Sequence, residues 1–261
     1  PVSELQEKYG SPNPKGLMEY ISTCKREFKP QTKFQYSCLN YITLQHIIET
    51  ITGQSLRDFA KENIFDILGM QYTDYLPTIQ QQDGKWINTV ACPWMDWIAP
   101  TEKQKDGSVL CGQVHDPLAR ILNGGISGNA GIFSNANDIG ILAAALLNGG
   151  EYNGRRILSP LGVKTMCTVP RELTAFGRTP GWDIFSPYAS NKGDLFSPNT
   201  FGHTGYTGTS IIIDPDNDTA VILLVNAVHP EDRHSIVRLR SLVANAVAAS
   251  ICPPAQVYTD H

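Results

Sequence analysis

Gly202-His203-Thr204-Gly205-Tyr206-Thr207-Gly208-Thr209-Ser210, running straight into Ile211-Ile212-Ile213, is the stretch from which the rest of the chain is read. Three glycines and four Thr or Ser residues ahead of a β-branched run describe a strand whose backbone something approaches closely. The cluster Asp214-Pro215-Asp216-Asn217-Asp218 then reads as a turn, and the apolar run from Ala220 to Val225 as a second strand, so a hairpin is predicted. Ile236, Leu239, Val243, Ala246 and Val247 recur at helical spacing, which predicts a helix covering one face of that sheet.

Upstream, the pattern is mainly helical. Asn13-Pro14 reads as an N-cap followed by proline at the first helical position, opening a short amphipathic helix that ends by Pro30. Tyr41, Leu44, Ile47, Ile48 and Ile51 form a second helical face closed by Gly53. Ser55 caps a third, with Leu56, Phe59, Ala60, Ile64 and Ile67 inward and Gly69 as its stop. From Tyr72 to about Leu118 the periodicity breaks into a long connection, in which Trp86, Trp94 and Trp97 are expected to pack against the body. Gly124 to Gly131 lacks the Gly-Lys-Ser/Thr of a phosphate loop and reads as a tight turn. Ser134 is expected to cap a helix through Leu147 that stops at Gly149-Gly150, and Ser159-Pro160 to open another.

The 261 residues, 41% hydrophobic and 18% charged with a net charge of -4, describe an ordinary globular chain with no basic stripe for nucleic acid. The longest apolar stretch, near Ile139 to Leu147, falls well short of the roughly eighteen residues that span a bilayer. The six cysteines, Cys24, Cys38, Cys92, Cys111, Cys167 and Cys252, never fall in a Cys-x-x-Cys spacing, which argues against zinc or redox motifs. Buried free thiols are the default expectation; pairs such as Cys24 with Cys38, or Cys92 with Cys111, stay open. The chain opens Pro1-Val2-Ser3-Glu4, without Met or a charged-then-apolar leader.

Tyr36-Ser37-Cys38 and His203-Thr204-Gly205, in this order and spacing, resemble motifs of the serine β-lactamase, penicillin-binding protein and family-VIII-like esterase superfamily. Supporting stretches are Ile98-Ala99-Pro100-Thr101-Glu102, Gly112-Gln113-Val114-His115-Asp116-Pro117 and Gly128-Asn129-Ala130-Gly131-Ile132-Phe133-Ser134, which look like a branch containing D-alanyl-D-alanine carboxypeptidases and esterases. The likeness runs from about Phe34 to Pro230. It implies an α+β fold: an antiparallel sheet flanked by helices, with a mainly helical region, here residues 31–190 before strands and a helix over 198–251 of one domain. It also implies a cleft between the two where three motifs converge. Tyr36 would help move the nucleophile's proton. His203 takes the usual lysine position, Thr204 and Gly205 would orient a substrate carboxylate or carbonyl, and the Tyr206 backbone N–H would serve the oxyanion hole. If His203 supplies positive charge to a carboxylate, binding weakens as pH rises past about 6.5.

Two departures from the family pattern follow. Cys38 stands in the substrate-binding position where the family has Asn or Asp, replacing an amide by a weak thiol donor, and is read as a buried substitute rather than a nucleophile. The family's nucleophile lies in Ser-x-x-Lys at a helix start. The only such spacing here is Ser22-Thr23-Cys24-Lys25, inside or at the end of the first helix, and is read as a chance match. The expectation is therefore a β-lactamase-like domain whose N-terminal part, nucleophile and first strands lie outside this sequence, so that an N-terminal segment or second chain completes the sheet. No cofactor or metal motif is seen; His229 and His234 are spaced unsuitably for one helix face, and His115 with Asp116 could shape a cleft loop or simply bond the backbone. Three functions remain open: a serine acyl-transfer hydrolase of a D-amino-acid peptide, β-lactam or small ester; a noncatalytic binder of cell-wall peptides or a partner protein; or an inactive fragment. The resemblance makes the cell envelope or exterior the expected setting.

Overall fold

A computed structural model describes residues 2–30, 32–232 and 235–251, so that His234 and Cys252 lie outside the described residues. The chain divides into two compact units, Pro1–Asp138 with Val228–Asp232, and Ile139–Ala227 with Arg233–His261.

The first unit begins with α1 (Val2–Tyr9) and α2 (Pro14–Thr23). Asn13 caps α2 as expected, its side chain accepting from Gly16 N at 2.8 Å, and Pro14 sits where a missing N–H costs nothing. Ser37 caps α3 (Cys38–Thr52), which closes on Gly53 at φ 71°, a left-handed residue for which glycine has no Cβ penalty. Leu17, Ile42 and Leu122 form the buried centre of this region, with Leu5, Met18, Ile21 and Leu39 packed around them.

The third helical stretch departs from its expected face. It is α4 (Leu56–Ala60), a π turn at Lys61–Phe65, and α5 (Asp66–Leu68), ending at Gly69. The buried residues are Leu56, Ala60, Phe65 and Leu68, not Ile64 and Ile67. A π turn takes one extra residue, so everything after it rotates by roughly 100° about the axis and the inward stripe moves one position along.

The segment read as a long connection contains short ladders. β1 (Asp74–Tyr75) pairs with β4 (Ile132–Phe133), and β2 (Thr78–Gln80) forms a hairpin with β3 (Trp86–Asn88). Two or three residues are too few for period-two alternation to register. Trp86 and Trp94 are half-buried, but Trp97 is 76% exposed and stacks on Tyr72 with ring centroids 5.7 Å apart, so the packing expectation fails for it. The glycine run is the tight turn expected, closed by a Ser127–Ala130 bridge.

The helix expected from Ser134 is α6 (Ala136–Leu147), and its cap is Asn135, whose Oδ1 accepts from Asp138 N at 2.8 Å; Ser134 Oγ instead bonds Thr73 Oγ1. In the second unit α6 stops at Gly149 and Gly150, both at positive φ. β5 (Glu151–Tyr152) and β6 (Arg155–Arg156) form a small hairpin, and Ser159 caps α7 (Pro160–Cys167).

β7 (Phe201–Thr204), β8 (Ser210–Asp214) and β9 (Thr219–Leu223) make an antiparallel sheet in that order, with the predicted hairpin between β8 and β9. The isoleucine run divides by the strand's alternation of faces. Ile211 and Ile213 join Phe201, Ala143, Leu146, Val163 and Ile184 on one face. Ile212 joins Val221 and Phe196 against Ala244, Val247 and Ala248 of α8 (Val237–Ser250) on the other, so the terminal helix covers the sheet as expected. A strand apolar at every position is what a sheet covered on both faces requires.

Candidate active site

His203 and Thr204 end β7, opposite Ile211 and Ser210. The turn that follows is tightly folded: Gly205 N donates to Thr209 O at 2.7 Å and Gly208 N to Gly205 O at 3.1 Å. Its glycines are crowded by the chain itself, two of them against backbone. A Cβ at Gly202 would lie 2.3 Å from Ile211 O, one at Gly205 2.2 Å from Thr209 Oγ1, and one at Gly208 2.4 Å from Val225 O. The close approach expected from the sequence is thus made by the chain itself, by strand backbone at Gly202, a turn side chain at Gly205 and the backbone beyond β9 at Gly208. Tyr206, at the tip, is 75% exposed.

Arg240 of α8 clamps this turn, its Nη2 donating to Gly205 O at 2.8 Å and Thr209 O at 2.9 Å. Burial pushes its pKa down, and its Nε is buried without a hydrogen-bond partner. Sequence reading missed it, although a signal exists: Arg240 stands four residues from both Ile236 and Ala244, on the helix's inward side.

His203 is bonded at both ring nitrogens. Nδ1 lies 2.9 Å from Thr204 O, and Nε2 lies 3.4 Å from Nη2 of Arg178. Arg178 is nearly buried and ion-paired to Asp183, with Nη1 3.0 Å from Oδ1. Asp183 also accepts from Ser186 Oγ, and its backbone exchanges hydrogen bonds with Gly202 at 2.9 and 3.0 Å. A charged network therefore lies beside the strand that carries His203.

In the first unit, Tyr36 precedes α3 and is 45% exposed, and Cys38 is the first residue of α3. Burial pushes the Cys38 thiol up, outweighing its hydrogen bond with the Asn129 side chain. A raised thiol pKa leaves less of the nucleophilic thiolate at neutral pH. Asn129, not singled out from the sequence, is fixed in turn by Ser127 Oγ, which donates to its Oδ1 at 2.6 Å. Gln45 of α3 stitches the same turn down: its Oδ-equivalent oxygen, Oε1, accepts from Gly128 N at 3.0 Å, and Nε2 donates to Ile126 O at 3.1 Å. Gly128 permits this, because a Cβ there would fall 2.1 Å from Tyr41 O.

Ser22 and Lys25 do not share one helical turn. Ser22 Oγ donates to Glu19 O at 2.7 Å, α2 ends at Thr23, and Cys24 is extended, so Lys25 leaves the helical face. His115 pairs with Glu102 at 3.2 Å, and Asp116 accepts from Ala119 N at 2.8 Å. His229 Nδ1 donates to Thr101 O at 2.8 Å. Among the described residues no His, Cys, Asp and Glu group could hold a metal ion, and no helix is long and apolar enough to cross a membrane. Cys24, Cys38, Cys92, Cys111 and Cys167 are free thiols, but none is fully buried: Cys24 and Cys111 are exposed and the other three half-buried.

A mostly helical unit and a three-stranded antiparallel sheet covered by helices on both faces define an α+β chain of the β-lactamase/transpeptidase-like class. The beta-lactamase family profile matches residues 3–245, and the chain belongs to that family. It is 35% identical over 226 residues to a protein of Escherichia coli K12 named "Putative D-alanyl-D-alanine carboxypeptidase", a match covering 81% of this chain and 49% of the relative. The chain thus spans about half the length of that relative. Among solved structures, a β-lactamase from Mycobacterium bovis is similar at TM-score 0.57 and 19% identity, covering 87% of this chain and 68% of that one. A penicillin-binding protein homologue from Pyrococcus abyssi is similar at TM-score 0.51 and 15% identity, covering 91% and 48%.

Proposed function

We propose that this chain carries the substrate-orienting and proton-handling residues of a serine acyl-transfer hydrolase acting on a D-amino-acid peptide, β-lactam or small ester, with the nucleophilic serine outside these residues. The observation that carries the reading is the clamped turn after β7, where Gly205 and Thr209 are held by backbone bonds and by Arg240 beside His203, Thr204 and Tyr206. Family membership and the carboxypeptidase-named relative support it. In this reading the serine attacks the acyl carbon and passes its proton toward Tyr36; charge gathers on the former carbonyl oxygen, and the Tyr206 N–H donates to it. Thr204 and Gly205 orient the substrate's carboxylate or carbonyl, and Cys38 contacts the substrate where an amide is usual.

A second reading, a noncatalytic binder of cell-wall peptide, is favoured by the failure of Ser22 and Lys25 to form a nucleophile motif and by the thiol at Cys38. Fluorescent penicillin separates the two. Applied to a polypeptide extended upstream through the encoding gene, it is expected to label a serine in a Ser-x-x-Lys located by mass mapping, and Tyr36→Phe is expected to slow labelling by ten-fold or more. No adduct and no ester turnover, with measurable peptide binding, would establish the binder instead.

A further inference from the structure

We propose that Arg178 is a positioning residue that fixes His203 in its Nδ1–H tautomer. The proposal rests on His203 being a site residue, and it concerns how that residue is presented. Two contacts demand the same assignment. A carbonyl oxygen only accepts, so Thr204 O at 2.9 Å requires a hydrogen on Nδ1. A guanidinium only donates, so Nη2 of Arg178 at 3.4 Å requires a lone pair on Nε2. The tautomer of a histidine is set by the partners of its two nitrogens, and here both partners select the form opposite to the Nε2–H form that free imidazole side chains favour in water.

Arg178 can do this because it is itself immobilised. Its side chain is 10% exposed and that of Asp183 2% exposed, with 3.0 Å between Nη1 and Oδ1. Arg178 and Asp183 face each other across a backbone bridge, and Asp183 bridges in turn to Gly202, the residue before His203. The charge of Arg178 is compensated by Asp183, so the network offers His203 a directed donor rather than a net field. Other charged groups on elements packed against β7 are engaged elsewhere: Lys192, in the short helix Ala189–Lys192, has Asp214 as its electrostatic partner, and Arg240 holds Gly205 and Thr209. Among the described residues no carboxylate stands within ion-pair distance of the His203 ring. The consequence for the site is that His203 does not swing or shuttle. Its ring ties down the Thr204 carbonyl, fixing the last peptide of β7 and with it the direction of the Thr204 hydroxyl.

Long-range proton–nitrogen NMR of the uniformly nitrogen-15-labelled chain at about pH 8 tests this, with His203 assigned from the signals lost in His203→Gln. The wild type is expected to show a protonated, pyrrole-type Nδ1 and an unprotonated, pyridine-type Nε2. Arg178→Met is expected to shift Nε2 toward the pyrrole type, and Arg178→Lys, which keeps a donor, to restore the wild-type pattern at least in part. A wild-type Nε2 of pyrrole type overturns the proposal without any variant. So does a folded Arg178→Met whose pattern is unchanged. Because the readout needs no turnover, failure of penicillin labelling would reject the acyl-transfer reading while leaving the tautomer result standing, and the reverse.

Discussion

Replacing Asp214 by Asn should destabilise the sheet under neutral conditions and hardly at all in acid. Asp214 ends β8, the central strand, and is 1% exposed. Its Oδ1 accepts from Ser197 Oγ at 2.6 Å and Asp216 N at 3.0 Å; Oδ2 accepts from Ser197 N at 3.0 Å and Asn217 Nδ2 at 2.7 Å. Burial alone would raise its pKa, but these side-chain and backbone donors outweigh it, and the carboxyl is held below its ordinary 3.8. Asn must turn its NH2 toward one pair of donors; Ser197 Oγ can rotate, or the Asn217 amide flip, to accept, but the backbone N–H in either pair (Asp216 or Ser197) cannot. One charge-assisted bond is lost outright and the rest weaken, a cost of about 2 kcal/mol. For a chain of this size that lowers the melting temperature by roughly 4–8 °C. A group with a depressed folded pKa contributes stability that is fully present above its unfolded value, near 3.9, and is lost as pH falls through the folded one. Melting of wild type and Asp214→Asn, followed by circular dichroism at about pH 7 and at successive steps below the ordinary carboxyl value of 3.8, should therefore show a gap that narrows as pH falls. Amide exchange at Ser197 and Asp216 should quicken in the variant at neutral pH. Equal melting at neutral pH, or a gap that persists unchanged into acid, would refute the reasoning.

Arg240→Met removes two donors from the turn, yet Gly205 O keeps Gly208 N and Thr209 O keeps Gly205 N, and the variant also removes a buried, unpartnered Nε. Stability should fall by no more than about 1 kcal/mol while amide exchange across Tyr206 to Gly208 accelerates; unchanged exchange there would show that the clamp holds nothing. Burial pushes the Cys167 thiol up to about 11, so its thiolate is scarce at neutral pH and mass mapping after brief iodoacetamide treatment should find it far less alkylated than exposed Cys24 and Cys111. Comparable alkylation of all three would contradict the burial that raises it.

What was legible in the sequence was whatever repeats along the chain. Ile211-Ile212-Ile213 announced a strand and the spacing after Ile236 a helix over one of its faces; the structure adds cover on the other, seating alternate side chains against α8 and against α6 and α7. Caps at Asn13, Ser55 and Ser159 were readable because a capping side chain bonds a backbone N–H two or three residues on; Ser37 caps α3 in the same way without having been singled out. The π turn was not, because Lys61-Glu62-Asn63 carries no apolar residue to mark where the stripe slips. The partners of the candidate residues were hidden for another reason: Asn129 against Cys38, Arg178 against His203 and Arg240 against Gly205 are joined only by folding, and though helical spacing sets Arg240 on the inward side of α8, it names no partner. The opening stretch shows the difference. Its glycines were read correctly as positions of close approach, but the approaching atoms are Ile211 O, Thr209 Oγ1 and Val225 O of the chain itself. A glycine's need for space is local and visible in sequence; what fills that space is tertiary. The turn is therefore better understood as a preorganised support for its neighbours His203, Thr204 and Tyr206 than as bare backbone awaiting a ligand, and its rigidity, which Arg240 supplies, is the property on which a role in acyl transfer depends.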